Sequence, residues 1–206
     1  MNGWFHLVGA ILAAAGLVLL TVQVRGTGSV RHLLGAAAFG VTACLMFSAS
    51  ALYHLRHGSP RQRLYQRLDH AMIYLFIAGT YTPVCLVALW HSMAARVLLA
   101  VVWVLAIAGV IIDIRGRPLR RGPATALYLA LGWAAVPLAP ALSVNPGLGG
   151  WLLVGGMFYT VGAVFYWLQR PRRRIGFVGF HELWHLCVLA ASASHFWAIR
   201  TYVLVT

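Results

Sequence analysis

Residues 95–113, ARVLLAVVWVLAIAGVIID, decide the fold. Between Arg96 and Asp113 lie 16 residues without a charge, and as a helix the whole stretch spans ~28 Å. That length matches the ~30 Å hydrocarbon core of a bilayer, where a helix satisfies its own backbone hydrogen bonds. Six further runs share this character, at roughly 4–24, 33–55, 70–90, 124–143, 151–169 and 178–204. The chain is therefore read as all-α, a single domain over residues 1–206 with seven transmembrane helices.

The composition agrees. The chain is 61% hydrophobic and 9% charged, where a soluble domain carries about 25% charged residues. The first run, Phe5 to Val24, has neither a basic leader nor a small-residue cleavage site, so it is expected to be a retained span. The net charge is +13 and every basic residue is Arg. These arginines punctuate the apolar runs. That pattern points to anionic lipid headgroups as their partners and argues against nucleic acid. Arg without Lys, with abundant Ala and Gly, suggests a GC-rich bacterial genome and hence a multi-pass protein of a bacterial inner membrane. Cys44, Cys85 and Cys187 each lie inside an apolar run, which favours buried thiols over a disulfide framework.

Local punctuation supports the segmentation. Ser59-Pro60 reads as a helix start, with Ser capping and Pro at the first helical position. Asn145-Pro146-Gly147 reads as a turn. Pro83, Pro137 and Pro140 should kink their helices.

Arginine asymmetry orients the spans. Twelve arginines fall in the second, fourth and sixth loops: 56, 61, 63 and 67, then 115, 117, 120 and 121, then 170, 172, 173 and 174. Only Arg25, Arg31, Arg96 and Arg200 lie on the other side. The positive-inside rule places the even loops in the cytoplasm, the N-terminus inside and the C-terminus outside.

Polar residues at membrane depth are costly, so those present are the informative ones. The second run ends in Ser50-Ala51-Leu52-Tyr53-His54 at the cytoplasmic face, with Ser50 and His54 on one helix face. The third begins there with Asp69. The seventh begins there with His181-Glu182-Leu183-Trp184-His185, whose histidines are again four apart. An orientation derived from arginines alone thus brings His54, Asp69, His181 and His185 to one depth. Three neutral imidazoles with one open position form a catalytic-type tetrahedral zinc site, and a nearby carboxylate can orient its water. The nitrogen-rich set suits zinc best, with iron, nickel and copper as alternatives.

Other polar residues receive milder readings. HELWH satisfies the H-E-x-x-H pattern, so Glu182 is a candidate general base. A carboxylate favoured by the helix N-terminus and the nearby Arg172–Arg174 cluster is the equal alternative. His195 lies ~15 Å beyond His185 along the helix and is expected to line a cavity or to bond a neighbouring helix. His6, His32, His57 and His91 fall near run ends or in loops and are expected to be solvated. His70 points ~100° away from Asp69 and is left out of the site. Asp113 beside Arg115 reads as an interfacial ion pair.

The three motifs together resemble the progestin and adipoQ receptor superfamily and, within it, the bacterial branch, the hemolysin III family. The matching stretches are SALYHL at 50–55, RLDHAMIYLFIAGTYTP at 67–83 and HELWHLCVLAASASHFWAI at 181–199. The resemblance implies zinc held by His54, His181 and His185, with Asp69 acting on the zinc-bound water and Ser50 beside the site as a supporting or oxyanion group. Distant relatives include alkaline ceramidases, which implies a zinc-dependent intramembrane hydrolase of lipid amides or esters working in membrane lipid homeostasis. Two alternatives are a non-enzymatic sensor of membrane state with a structural zinc, and, more weakly, a pore-forming cytolysin. The chain lacks the long N-terminal region of the animal receptors, which argues against a hormone-receptor role.

Overall fold

A computed structural model describes residues 2–27, 29–116, 119–169 and 179–205. Arg117 and the arginines of the sixth loop, with the Arg172–Arg174 cluster, lie outside the described residues. The helices are α1 (Asn2–Val24), α2 (Val30–Leu55), α3 (Gln62–Pro83), α4 (Met93–Ile114), α5 (Arg121–Trp133), α6 (Ala139–Leu142), α7 (Pro146–Leu168) and α8 (Phe180–Ala198). Among the described residues, six helical segments are long and apolar enough to cross a membrane, including Gln62–Ala88 and Arg121–Leu142. α8, extended to Val203, supplies the seventh span of the bundle. Its His181, Glu182, His185 and His195 dilute the apolarity that marks the others.

The outer surface is inverted relative to that of a soluble protein. Ile11, Leu12, Val104, Ile107, Leu153 and Trp167 are all exposed. A water-facing monomer does not present such continuous apolar area, so the solvent of these faces is lipid. Inside, small residues let helices approach closely. Thr42 of α2 packs on Gly79 of α3, and the His195 ring of α8 packs on Gly155 of α7, each where a Cβ would collide.

Proline and the capping residues place the breaks. Immediately after Pro83 the helix relaxes into a π turn, Val84–Ala88, closed by the Leu89 N–H donating to Val84 O at 2.9 Å. The kink expected at Pro137 and Pro140 is a full interruption: α5 stops at Trp133, a 3-10 turn covers Val136–Leu138, and α6 follows. Two carbonyls at this break, of Leu131 and Gly132, accept the Tyr81 hydroxyl of α3 at 2.8 and 2.9 Å. Asn145-Pro146 is the cap of α7 and not a free turn. Asn145 Oδ1 accepts the Leu148 N–H at 3.0 Å, so the sixth span begins at 146, five residues before the expected start. At Ser59-Pro60 the Ser59 hydroxyl accepts the Arg61 N–H at 3.3 Å, and regular helix follows from Gln62.

α2 lies between α1 and α3, α4 packs on α3, and α8 packs on both α7 and α1. One apolar core joins α1, α2, α3, α7 and α8 around Phe39, Phe47, Phe76 and Val188. A second joins α3, α4 and α5 around Tyr74, Tyr81, Val102 and Leu131. Residues of both line a cavity of about 1180 Å³.

Candidate metal centre

The last turn of α2 and the first two turns of α8 meet at the head of this cavity. His54 projects from α2, and His181 and His185 project from one face of α8. The three offer ligand nitrogens that all lie within 4.8 Å of one another. His54 Nε2 and His181 Nε2 are 3.3 Å apart. A tetrahedral zinc with Zn–N of ~2.0–2.1 Å needs nitrogens ~3.3 Å apart. The ring centroid of His185 lies 5.0 Å from that of His54 and 4.4 Å from that of His181, and its Nε2 is buried without a partner among the described residues. A buried imidazole nitrogen left unpaired is costly. An ion bound by all three would remove that cost, so the donor set fits a metal.

The carboxylate and the hydroxyl named from the sequence stand at the same place. Asp69, two turns into α3, lines the same cavity as His54, and its hydrogen-bonding neighbour is the Ser50 hydroxyl of α2. Asp69 is thus held by Ser50, one turn deeper than His54 on the same α2 face. Glu182 occupies a different kind of position. It is 2% exposed, and its Oε2 accepts the Gly179 N–H at 2.9 Å, closing the first turn of α8. That bond fixes where α8 begins, and hence where His181 and His185 stand.

His6 departs from expectation. Placed among the solvated histidines by sequence, it is 2% exposed, because α1 packs against α2 and α8 and carries the ring inward. Its Nε2 pairs with Nδ1 of His185. A histidine near the end of an apolar run gives no sequence sign of this contact, since only the packing of α1 on α8 creates it. His32 is half-buried, with both ring nitrogens enclosed, whereas His57 and His91 are exposed as expected. His70 lines the cavity, although it stands outside the histidine cluster. His195 also lines it, and its Nε2 donates to Leu152 O of α7 at 3.2 Å. Asp113 is 3% exposed while Arg115 is exposed, so the interfacial pairing expected of them is not the arrangement found.

Three arginines also contribute to the cavity wall. Arg63, Arg67 and Arg121 line it, and Arg121 lies 4.9 Å over the Tyr166 ring. Arg67 packs on Gly116, whose φ of 79° and lack of a Cβ let the guanidinium sit against the backbone.

Fold and site together define a class: a multi-pass helical membrane protein with three histidines placed to hold a metal ion at one end of an internal cavity. Comparison with known proteins narrows it. The family model described as haemolysin-III related matches residues 1–196, and the chain belongs to that family. It is 35% identical to Hemolysin-3 of Bacillus cereus, covering 100% of this chain and 91% of that protein. It is 33% identical to the Hemolysin-3 homolog of Bacillus subtilis (strain 168), covering 98% and 92%. The adiponectin receptor protein of Drosophila melanogaster is 28% identical, over 96% of this chain and 49% of that protein.

Proposed function

We propose that the protein is a zinc-dependent intramembrane hydrolase of lipid amides or esters. One observation carries the reading: the three-histidine cluster opens into a large, mostly apolar cavity with Asp69 and Ser50 at the same end. A purely structural ion needs neither a neighbouring carboxylate nor a chamber of that size. The nitrogen-only donor set favours zinc.

His54, His181 and His185 would hold the ion. When bound, it supplies a Lewis acid and lowers the pKa of a water in its open position. The apolar walls take the acyl chain and exclude bulk water, while Arg63, Arg67 and Arg121 receive the headgroup region. A lipid entering from the inner leaflet would present its carbonyl beside the histidines. Asp69 takes the proton of the attacking water as the carbon–oxygen bond forms. It returns that proton to the leaving nitrogen or oxygen as the carbon–nitrogen or ester carbon–oxygen bond breaks. Ser50 donates its one hydroxyl proton to the Asp69 carboxylate and orients it; once Asp69 is protonated, that hydroxyl can turn to the oxygen that becomes negative. Glu182 holds the α8 start and is the second candidate for the proton.

A second reading rests on the origin of the ligands. They come from α2 and α8, so an ion would clamp the second span to the last and could serve a non-enzymatic sensor. Two measurements separate these readings. Elemental mass spectrometry of the purified parent should find about one zinc per chain, and none in a His181→Ala/His185→Ala variant. Asp69→Asn should keep the zinc and lose turnover of lipid amides and esters. Equal turnover in Asp69→Asn sinks the hydrolytic mechanism. A parent without metal after zinc is supplied sinks both readings.

A further inference from the structure

The residue that the sequence left in solvent stands directly behind the centre. We propose that His6 is its positioning residue: Nε2 of His6 holds Nδ1 of His185, which leaves Nε2 of His185 to the ion. The inference rests on the metal-binding reading above.

Both rings are 2% exposed, with centroids 3.9 Å apart and planes at 79°. His6 stands farther from His54, at 6.1 Å between centroids, and lies outside the cluster of candidate ligands. A neutral imidazole carries one N–H and one lone pair. If His185 ligates through Nε2, its proton is on Nδ1 and requires an acceptor, and Nε2 of His6 is that acceptor. The His6 proton then sits on Nδ1, which has no hydrogen-bond partner among the described residues, so none of them competes for this ring. Ligating histidines usually donate the second ring N–H to a carboxylate, a carbonyl or water. Here an imidazole from α1 takes that place, braced by Phe47 at 5.6 Å between ring centroids.

The test uses the full-length protein in detergent and three chains: the parent, His6→Phe, which keeps volume without an acceptor, and His6→Gln, whose side-chain oxygen can replace Nε2. Zinc affinity is measured by competition with a chelator, and coordination by the visible spectrum of the cobalt(II)-substituted protein. His6→Phe should bind zinc roughly 10–100-fold more weakly, still one per chain, with an unchanged cobalt spectrum. His6→Gln should recover most of the affinity. Parent-like affinity in His6→Phe overturns the proposal. So does a loss in His6→Gln as large as in His6→Phe, which would mark a packing role. A weaker, altered cobalt spectrum with lost stoichiometry would make His6 a ligand and overturn it as well. Failure of the parent itself to bind metal condemns the underlying reading, whereas loss confined to the His6 variants leaves that reading intact.

Discussion

Glu182 lies beside His181 in sequence, yet its Oε2 reaches backwards to accept the Gly179 N–H. A carboxylate three residues into a helix satisfies an orphan donor and faces the positive end of the helix dipole. Gln can make the same bond. Glu182→Gln, which keeps that bond and loses the charge, should therefore lower the thermal midpoint less than Glu182→Ala does and keep the metal content close to the parent's. Glu182→Ala should lose about 1 kcal/mol and retain metal less well, as thermal unfolding and elemental analysis would record. Turnover that vanishes in Glu182→Gln while midpoint and metal persist would instead place Glu182 in the chemistry. At this scale the meeting of His54 with His181 and His185 was legible, because two independent signals converged: i, i+4 spacing, and a depth set by arginines alone. His6 was illegible for a physical reason. A histidine near a helix end snorkels or buries according to which helix lies beside it, and α1 meets α8 only in the folded bundle.

Each span could be recognised from its length and apolarity, but where it stops depends on a few hydrogen bonds. Asn145 shows the difference: asparagine before Pro-Gly is a turn signal and equally a cap, and the Leu148 N–H decides for the cap. α5 shows it again. Two prolines predict a kink, while a true interruption can persist in lipid only if the exposed carbonyls find a donor. Tyr81, from a different helix, supplies that donor to Leu131 and Gly132. Tyr81→Phe keeps the ring and leaves those carbonyls without their partner, which should cost about 1–3 kcal/mol. A lower unfolding midpoint in detergent would record it. An unchanged midpoint would show that water already satisfies the break.

Across the whole molecule, arginine distribution and cavity impose a direction. The histidines, Asp69 and the arginine-lined wall lie at one end of the bundle, and the cavity extends past His195 toward Pro146 at the start of α7. If the arginines orient the chain, the C-terminus is outside, and a reporter fused to it should be active only in a form that requires export. The cavity itself could not be read from sequence, since its walls come from residues that would serve equally well as packed core. Gly132 offers a way to test its use. It lines the cavity beside the α5 break, and a Cβ built there meets nothing within 4 Å. Gly132→Leu should therefore be accommodated without strain while narrowing the channel for an acyl chain. A methylene gained or lost in an apolar substrate pocket is worth about 1–3 kcal/mol, so turnover of a long-chain lipid amide should fall roughly tenfold. Zinc content and turnover of a short-chain analogue should stay level. Equal loss on both substrates would mean that the change reached the histidines, and no loss on either would mean that the chain of the substrate lies elsewhere.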